Sequence, residues 1–359
     1  MIWLGVAAQG RDNNFNLIRM LAAGAVLVSH AWPLTYGPGT AEPLQAQTGH
    51  SLGTFAVYVF FALSGFFICA SFAASQTASA FVIARCLRLF PGLAVSLLLV
   101  GFGLGPLLTS LPLAQYMTHS ETWSFLLRNM TLLAPQYTLP GVFETNPFPA
   151  VEGSIWTLVH EVLCYGLVFL AGVSGLLWHR RTMSLALLGF GLLWLWPVLA
   201  TLDLHPKLDQ LHDLSLPFVL GMAFWVWRAV IPLSVVGIVV LSAATYATRA
   251  MPAGAAVLML LLTYATFWLG HVPRGWVRRY NALGDYSYGL YIYAFPLQGL
   301  VVWLFGQMTP AAHIAVAFPI TLAFSVLSWQ LVERPALRLR QTLTAKWASM
   351  RHESLYQGR

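Results

Sequence analysis

Apolar stretches of about 20 residues recur from one end of this chain to the other, each long enough as a helix to cross a hydrocarbon core of roughly 30 Å. Nothing constrains the fold more. Backbone amides inside a bilayer must be paired within a helix or around a closed barrel, and these segments lack the polar-apolar alternation of barrel strands. Composition agrees: 58% of residues are hydrophobic and 9% charged, against about 25% charged in an ordinary soluble domain. The expected class is an all-α polytopic membrane protein, which excludes a soluble globular enzyme. No nucleic-acid partner is expected.

Cutting the chain at polar clusters and prolines predicts ten spans: Asn16–Leu34, Gly53–Ala74, Phe90–Leu111, Ser154–Trp178, Met183–Thr201, Leu214–Trp227, Ile231–Thr248, Pro252–Gly270, Leu283–Gly306 and Ala311–Val332. Charge tests the cut independently of hydropathy. With the N-terminus inside, all 19 Lys and Arg except Arg128, Lys207 and Arg249 fall at or near the cytoplasmic side. Both termini are therefore expected in the cytoplasm. A single transmembrane domain is expected over residues 1–340, followed by a basic cytoplasmic tail over 341–359 that either touches anionic lipid or serves only as a topology signal. Residues 1–10 are too short and insufficiently basic for a cleaved signal segment. Cys69, Cys86 and Cys164 show no spacing of a disulfide framework or zinc site, so no metal is expected.

An ionisable side chain within a span is costly and marks a functional position by default. Arg19, His30 and Glu161 qualify. Arg19 and His30 are eleven positions apart, three turns plus about 20°, so they share one helix face with a rise of roughly 16 Å between them. The stripe joining them is Ala22, Ala23 and Val26, small enough either for close helix packing or for something thin to lie along it. His30 and Glu161 come out at one depth, near the outer surface. There they form either a base with its orienting carboxylate or a hydrogen-bonded pair that only ties two helices together. His160 is an adjacent candidate partner. Arg85 and Arg88, three apart on one face at the cytoplasmic entrance to the third span, suit phosphate binding but also suit a plain topology signal.

These residues lie within a pattern. Arg19-x10-His30, Phe60-Phe61-Ala62-Leu63-Ser64-Gly65-Phe66, Arg85-x-x-Arg88-Leu89-x-Pro91, Trp156-Thr157-Leu158-x-x-Glu161, Leu283-Gly284-x-x-Ser287-Tyr288-x-x-Tyr291 and Glu333-Arg334-Pro335 resemble, in order, the signatures of the membrane acyltransferase-3 family. The resemblance implies an integral membrane acyltransferase, in the inner membrane of a bacterium. It would carry an acyl group, usually acetyl, from cytoplasmic acetyl-CoA or another acyl-CoA to a hydroxyl of a glycan or lipid-linked sugar. It also implies that His30 is essential for transfer and that Arg85 and Arg88 serve the donor. Three positions depart from the family's pattern: Tyr58 replaces an acidic residue, Thr157 a Ser, and Ala294 a His of the ninth helix, which points to an atypical acceptor. The competing class is a proton-coupled transporter with His30 and Glu161 as a relay.

Overall fold

In the computed structural model the chain is described over residues 2–10, 12–75, 77–200 and 205–339; the basic tail expected over 341–359 lies outside the described residues. Ten long helices follow one another: α1 Phe15–Tyr36, α2 Leu52–Ala73, α3 Ala78–Leu98, α4 Ile155–Val173, α5 Arg180–Leu199, α6 Pro206–Val226, α7 Val235–Thr248, α8 Gly254–His271, α9 Ser287–Phe305 and α10 Pro310–Ser328. Each predicted span has its helix. Eight are long and apolar enough to cross a membrane, counting α3 with its extension to Leu108 and α10 with its extension to Leu339. The two others are α6, which carries Lys207, Asp209 and Asp213, and α7, which has 14 residues. The protein is thus a multi-pass helical membrane protein.

The boundaries follow local chemistry. Ser51 starts α2 by accepting from the Thr54 amide at 3.1 Å, and Thr77 starts α3 by accepting from the Ala80 amide at 3.0 Å, each satisfying an orphan N–H of the first turn. The third helix therefore begins well before Phe90, and Arg85 and Arg88 lie inside it. Pro91, expected near its start, is an interior residue. Likewise α10 continues through a π-helical turn, Trp329–Glu333, so Glu333-Arg334-Pro335 closes a continuous helix rather than following one.

The chain forms two compact units. The first holds the described residues of 2–30, 41–74 and 156–287. Its densest packing is α2 against α6, where the backbones cross at two glycines: a Cβ on Gly65 would fall 1.9 Å from the Phe218 carbonyl oxygen, and one on Gly221 would fall 2.1 Å from that of Ala62. Phe15, Phe66, Phe224, Tyr264 and Phe267 fill the adjoining core. At one end Ile2–Trp3 pairs antiparallel with Pro232–Leu233. Asn14 Nδ2 donates to the carbonyls of Leu269 and Pro273, each at 2.9 Å, and Arg278 pairs with Asp12. The second unit holds the described residues of 31–40, 75–155 and 288–339, with α3, α9, α10 and the long segment between α3 and α4. That segment is anchored on α9: Asn146 Nδ2 donates to the Gly299 carbonyl at 2.9 Å, and Phe148 meets Phe295 edge to face.

Candidate active site

In the first unit, Arg19, His30 and Glu161 occupy α1 and α4. The stripe between Arg19 and His30 is covered by protein: Ala22, Ala23 and Val26 are buried, Ala23 completely. Their burial suits close helix packing at these small residues. Arg19 itself faces a carboxylate. Its Nη1 lies 3.7 Å from Asp285 Oδ2, and its guanidinium stands over the Phe67 ring. Asp285 in turn accepts from Ser287 Oγ at 2.5 Å. The Leu283-Gly284-x-x-Ser287 signature thereby meets the Arg19 signature through a residue its pattern leaves open.

Glu161 is gripped by two hydroxyls. Ser64 Oγ donates to Glu161 Oε1 at 3.0 Å, and the Tyr165 hydroxyl donates to the same oxygen. Two O–H donors on one carboxylate oxygen satisfy it in an apolar setting, where an unpaired polar group is costly. Ser64 belongs to the Phe60–Phe66 signature and Glu161 to the Trp156 signature, so a second pair of motifs meets here. His160, the adjacent candidate partner, is engaged locally: its Nδ1 lies 2.9 Å from the Trp156 carbonyl oxygen, and its ring meets the Trp156 ring edge to face.

The half-buried His30 sits one residue beyond an anchored position. Buried Ser29 donates from Oγ to Glu42 and accepts from the Gly53 amide at 2.9 Å. A Cβ on Gly53 would come within 3.0 Å of Ser29, so the glycine permits this approach. The turn of α1 that carries His30 is thus tied to the start of α2.

Arg85 and Arg88 belong to the second unit, where three signature segments converge. Arg88 Nη1 lies 3.8 Å from Glu333 Oε2, and its guanidinium stands over the Tyr288 ring. The Tyr288 hydroxyl donates to the Leu89 carbonyl at 2.7 Å, and Ser328 Oγ donates to Glu333 Oε1 at 2.9 Å. Glu333 is 1% exposed, so its carboxylate depends on these partners. Gly92 makes room for Tyr288, since a Cβ there would sit 2.8 Å from the ring. Gly289 likewise lets α9 approach Ser325 of α10. Arg88 is thus oriented by a buried acid. Arg85, one turn earlier, stands over Phe81.

One more ionisable group is held in this unit, on the segment leading into α4. Glu152 is buried, accepts from the Ser154 amide at 3.1 Å, and has its own amide bonded to the Tyr137 carbonyl. Burial pushes its carboxyl up to about 8, so it is mostly protonated at neutral pH. Gly153 beside it is where the Phe295 ring packs: a Cβ would lie 2.2 Å from that ring. Of the three departures from the family's pattern, Tyr58 is buried and meets His50 edge to face, and Ala294 is buried within α9. Among the described residues no group of three or more His, Cys, Asp or Glu is placed to hold a metal ion.

Apolar helices that gather paired Arg, Glu and Asp side chains define an integral membrane protein with charged groups held among its helices. The chain belongs to the membrane acyltransferase-3 family, whose acyltransferase domain matches residues 12–330. It is an enzyme that transfers acyl groups other than aminoacyl, and so needs an acyl donor and an acceptor; the transporter reading is set aside. Nodulation protein 10 of Rhizobium leguminosarum bv. viciae is 25% identical over 96% of this chain and 98% of its own length. An O-acetyl transferase of Shigella phage Sf6 is 29% identical over 90% of this chain and 96% of its own. No solved structure matches the chain.

Proposed function

We propose that this protein is an O-acyltransferase of a bacterial cytoplasmic membrane, with ten spans and both termini cytoplasmic. It moves an acyl group, acetyl in the first instance, from acyl-CoA to a hydroxyl of a glycan or lipid-linked sugar on the outer side. The phage relative described as an O-acetyl transferase supports oxygen as the acceptor atom and acetyl as the group. One observation carries the site assignment: Glu161, within a span, is hydrogen-bonded to Ser64 and Tyr165 in the same compact unit as His30 and Arg19. That carboxylate lies at the level of Ser64, eleven residues along α2 from the Gly53 end that meets Ser29, so it stands about 16 Å along the helix axis from the level of His30 and is assigned to the Arg19 end of the site rather than to the imidazole.

In this reading His30 takes the proton of the acceptor hydroxyl as its oxygen attacks the thioester carbonyl. The C–S bond breaks, and the proton passes to the departing coenzyme A thiolate. An acyl-imidazole formed first on His30 and then attacked by the hydroxyl uses the same residue and the same balance of atoms. Arg85 and Arg88 take the donor's phosphates, Arg88 being held for that task by Glu333. Arg19 is steadied by Asp285.

The test is transfer of labelled acetyl from acetyl-CoA to envelope glycan or a glycan acceptor in vesicles holding the purified protein. His30→Ala and His30→Gln are expected to abolish transfer while leaving insertion and thermal stability near wild type. Near-normal transfer by either variant refutes the role given to His30.

A further inference from the structure

Two adjoining cavities in the first unit, separate from the residues assigned to acyl transfer, have complementary chemistry. One, about 640 Å³, lies where residues 3–9 meet the ends of α5 and α6. It is lined by Arg180 and Arg228 with Trp3, Trp178 and Trp225, and no carboxylate is among its lining residues. Arg228 stacks on Trp225, its guanidinium carbon 4.6 Å from the ring centroid. Arg180 is the first residue of α5, whose N-terminus has no side-chain cap, so the positive end of that helix adds to the two guanidiniums. Positive charge facing a cavity lined by no acid makes that cavity complementary to an anion.

The second cavity, about 870 Å³, is a groove between α5 and α6 lined by Leu185, Leu188, Leu192, Leu195 and Leu220, and it shares Arg180 with the first. Its walls stay open on the α5 side: Leu185, Leu188 and Leu192 are each more than 60% exposed. A basic, tryptophan-rimmed cavity continuing into an apolar groove matches an amphiphile with an anionic head. Tryptophans at such a junction suit the headgroup level of a bilayer, and paired guanidiniums suit a phosphate.

We infer that this site binds one anionic glycerophospholipid, with its headgroup phosphate between Arg180 and Arg228 and its acyl chains in the α5–α6 groove. The inference does not rest on the role given to His30. It separates from ordinary annular lipid by charge: bulk lipid solvates the groove whatever its head, whereas this site selects an anion.

The experiment uses the full chain, purified in neutral detergent and delipidated, with lipid adducts counted by native mass spectrometry. Phosphatidylglycerol and phosphatidylcholine of identical acyl chains are offered at equal concentration. Wild type is expected to retain phosphatidylglycerol at least about tenfold over phosphatidylcholine, and Arg180→Gln with Arg228→Gln to lose that preference. The charge-matched variant Arg249→Gln with Arg274→Gln is expected to keep it. Circular dichroism and size-exclusion profiles matching wild type keep the comparison one of folded proteins. Single Arg180→Gln and Arg228→Gln variants serve if the double variant does not fold. Equal retention of the two lipids by wild type, or unchanged preference in the Arg180 and Arg228 variants, overturns the inference. Displacement of phosphatidylglycerol by glycerol 3-phosphate at matching concentration also overturns it, because the groove then contributes nothing and the occupant is a soluble phosphate.

Discussion

Adding one methyl group at the α2–α6 crossing is expected to be among the most damaging changes this protein can suffer outside its polar sites. In Gly65→Ala the new Cβ starts 1.9 Å from the Phe218 carbonyl oxygen and 3.0 Å from the Met222 amide, where ordinary contact begins at 3.4 Å. Both neighbours are backbone, so no rotamer change relieves the overlap, and the helices must part locally by about 1.5 Å. A gap of roughly 0.5–1 Å already forfeits a quarter to a half of each dispersion contact along a packed surface. The loss is expected at or above the upper end of the about 1–3 kcal/mol typical of overpacking. It far outweighs the about 0.5–1 kcal/mol that alanine gains over glycine within a helix. Gly221→Ala meets the Ala62 carbonyl oxygen at 2.1 Å and is expected to behave alike. The double variant is expected to cost less than the sum, since helices already pushed apart admit the second methyl more easily. Gly166→Ala in α4 and Gly189→Ala in α5 are the controls, because nothing lies within 4 Å of a Cβ at either position. Both should leave the melting temperature in detergent unchanged or slightly raised. Melting temperatures for Gly65→Ala and Gly221→Ala equal to those of the controls would refute the argument that backbone contact sets this crossing.

Three further outcomes are expected. Glu161→Gln should lower turnover at least about tenfold with little change in donor KM, since the amide keeps hydrogen bonding to Ser64 and Tyr165 but removes the intramembrane charge at the Arg19 end of the site; steady-state transfer kinetics check this. Arg88→Ala should cost about 3–5 kcal/mol by stranding the Glu333 carboxylate; adding Glu333→Gln should restore stability in a melting assay without restoring coenzyme A affinity, whereas Arg85→Ala should weaken that affinity alone. Glu152 is protonated in the fold up to about pH 8 but ionises near 4.5 when unfolded, so the native state binds more protons in that window and stability must fall as pH rises through it. Glu152→Gln should flatten this slope by up to about 1.4 kcal/mol per pH unit, read as the wild-type minus variant difference across pH 5 to 8.

What the sequence disclosed and what it hid differ by physical range. Helix number follows from apolar run length, and the shared face of Arg19 and His30 follows from helical pitch; both are local and both are seen. Tyr165 was not singled out, although its place four residues after Glu161, one helical turn from a carboxylate, was the local signal that could have found it. Asp285 against Arg19, Glu333 against Arg88 and Ser64 against Glu161 were not legible, because each joins side chains on helices far apart in the chain. The motif positions around them were visible, but which motif answers which is decided by tertiary packing. The start of α3 was placed late because Arg85 and Arg88 break the apolar run. Thr77, a capping residue further upstream, was the signal that marks the true start.

The pairing of Ile2–Trp3 with Pro232–Leu233 bears on how the protein comes to be assembled. A ribosome working at about 5–20 residues per second needs roughly 10–50 s to reach Leu233 after completing Trp3. For most of that interval α1 is already made while the segment before it has no partner strand. The residues that later clasp Asp12 and Asn14, at the end of α8 and beyond, are made later still. The earliest part of the polypeptide is therefore the last of its unit to settle, and damage to residues 228–233 should surface as a biogenesis defect at the opposite end of the translated chain.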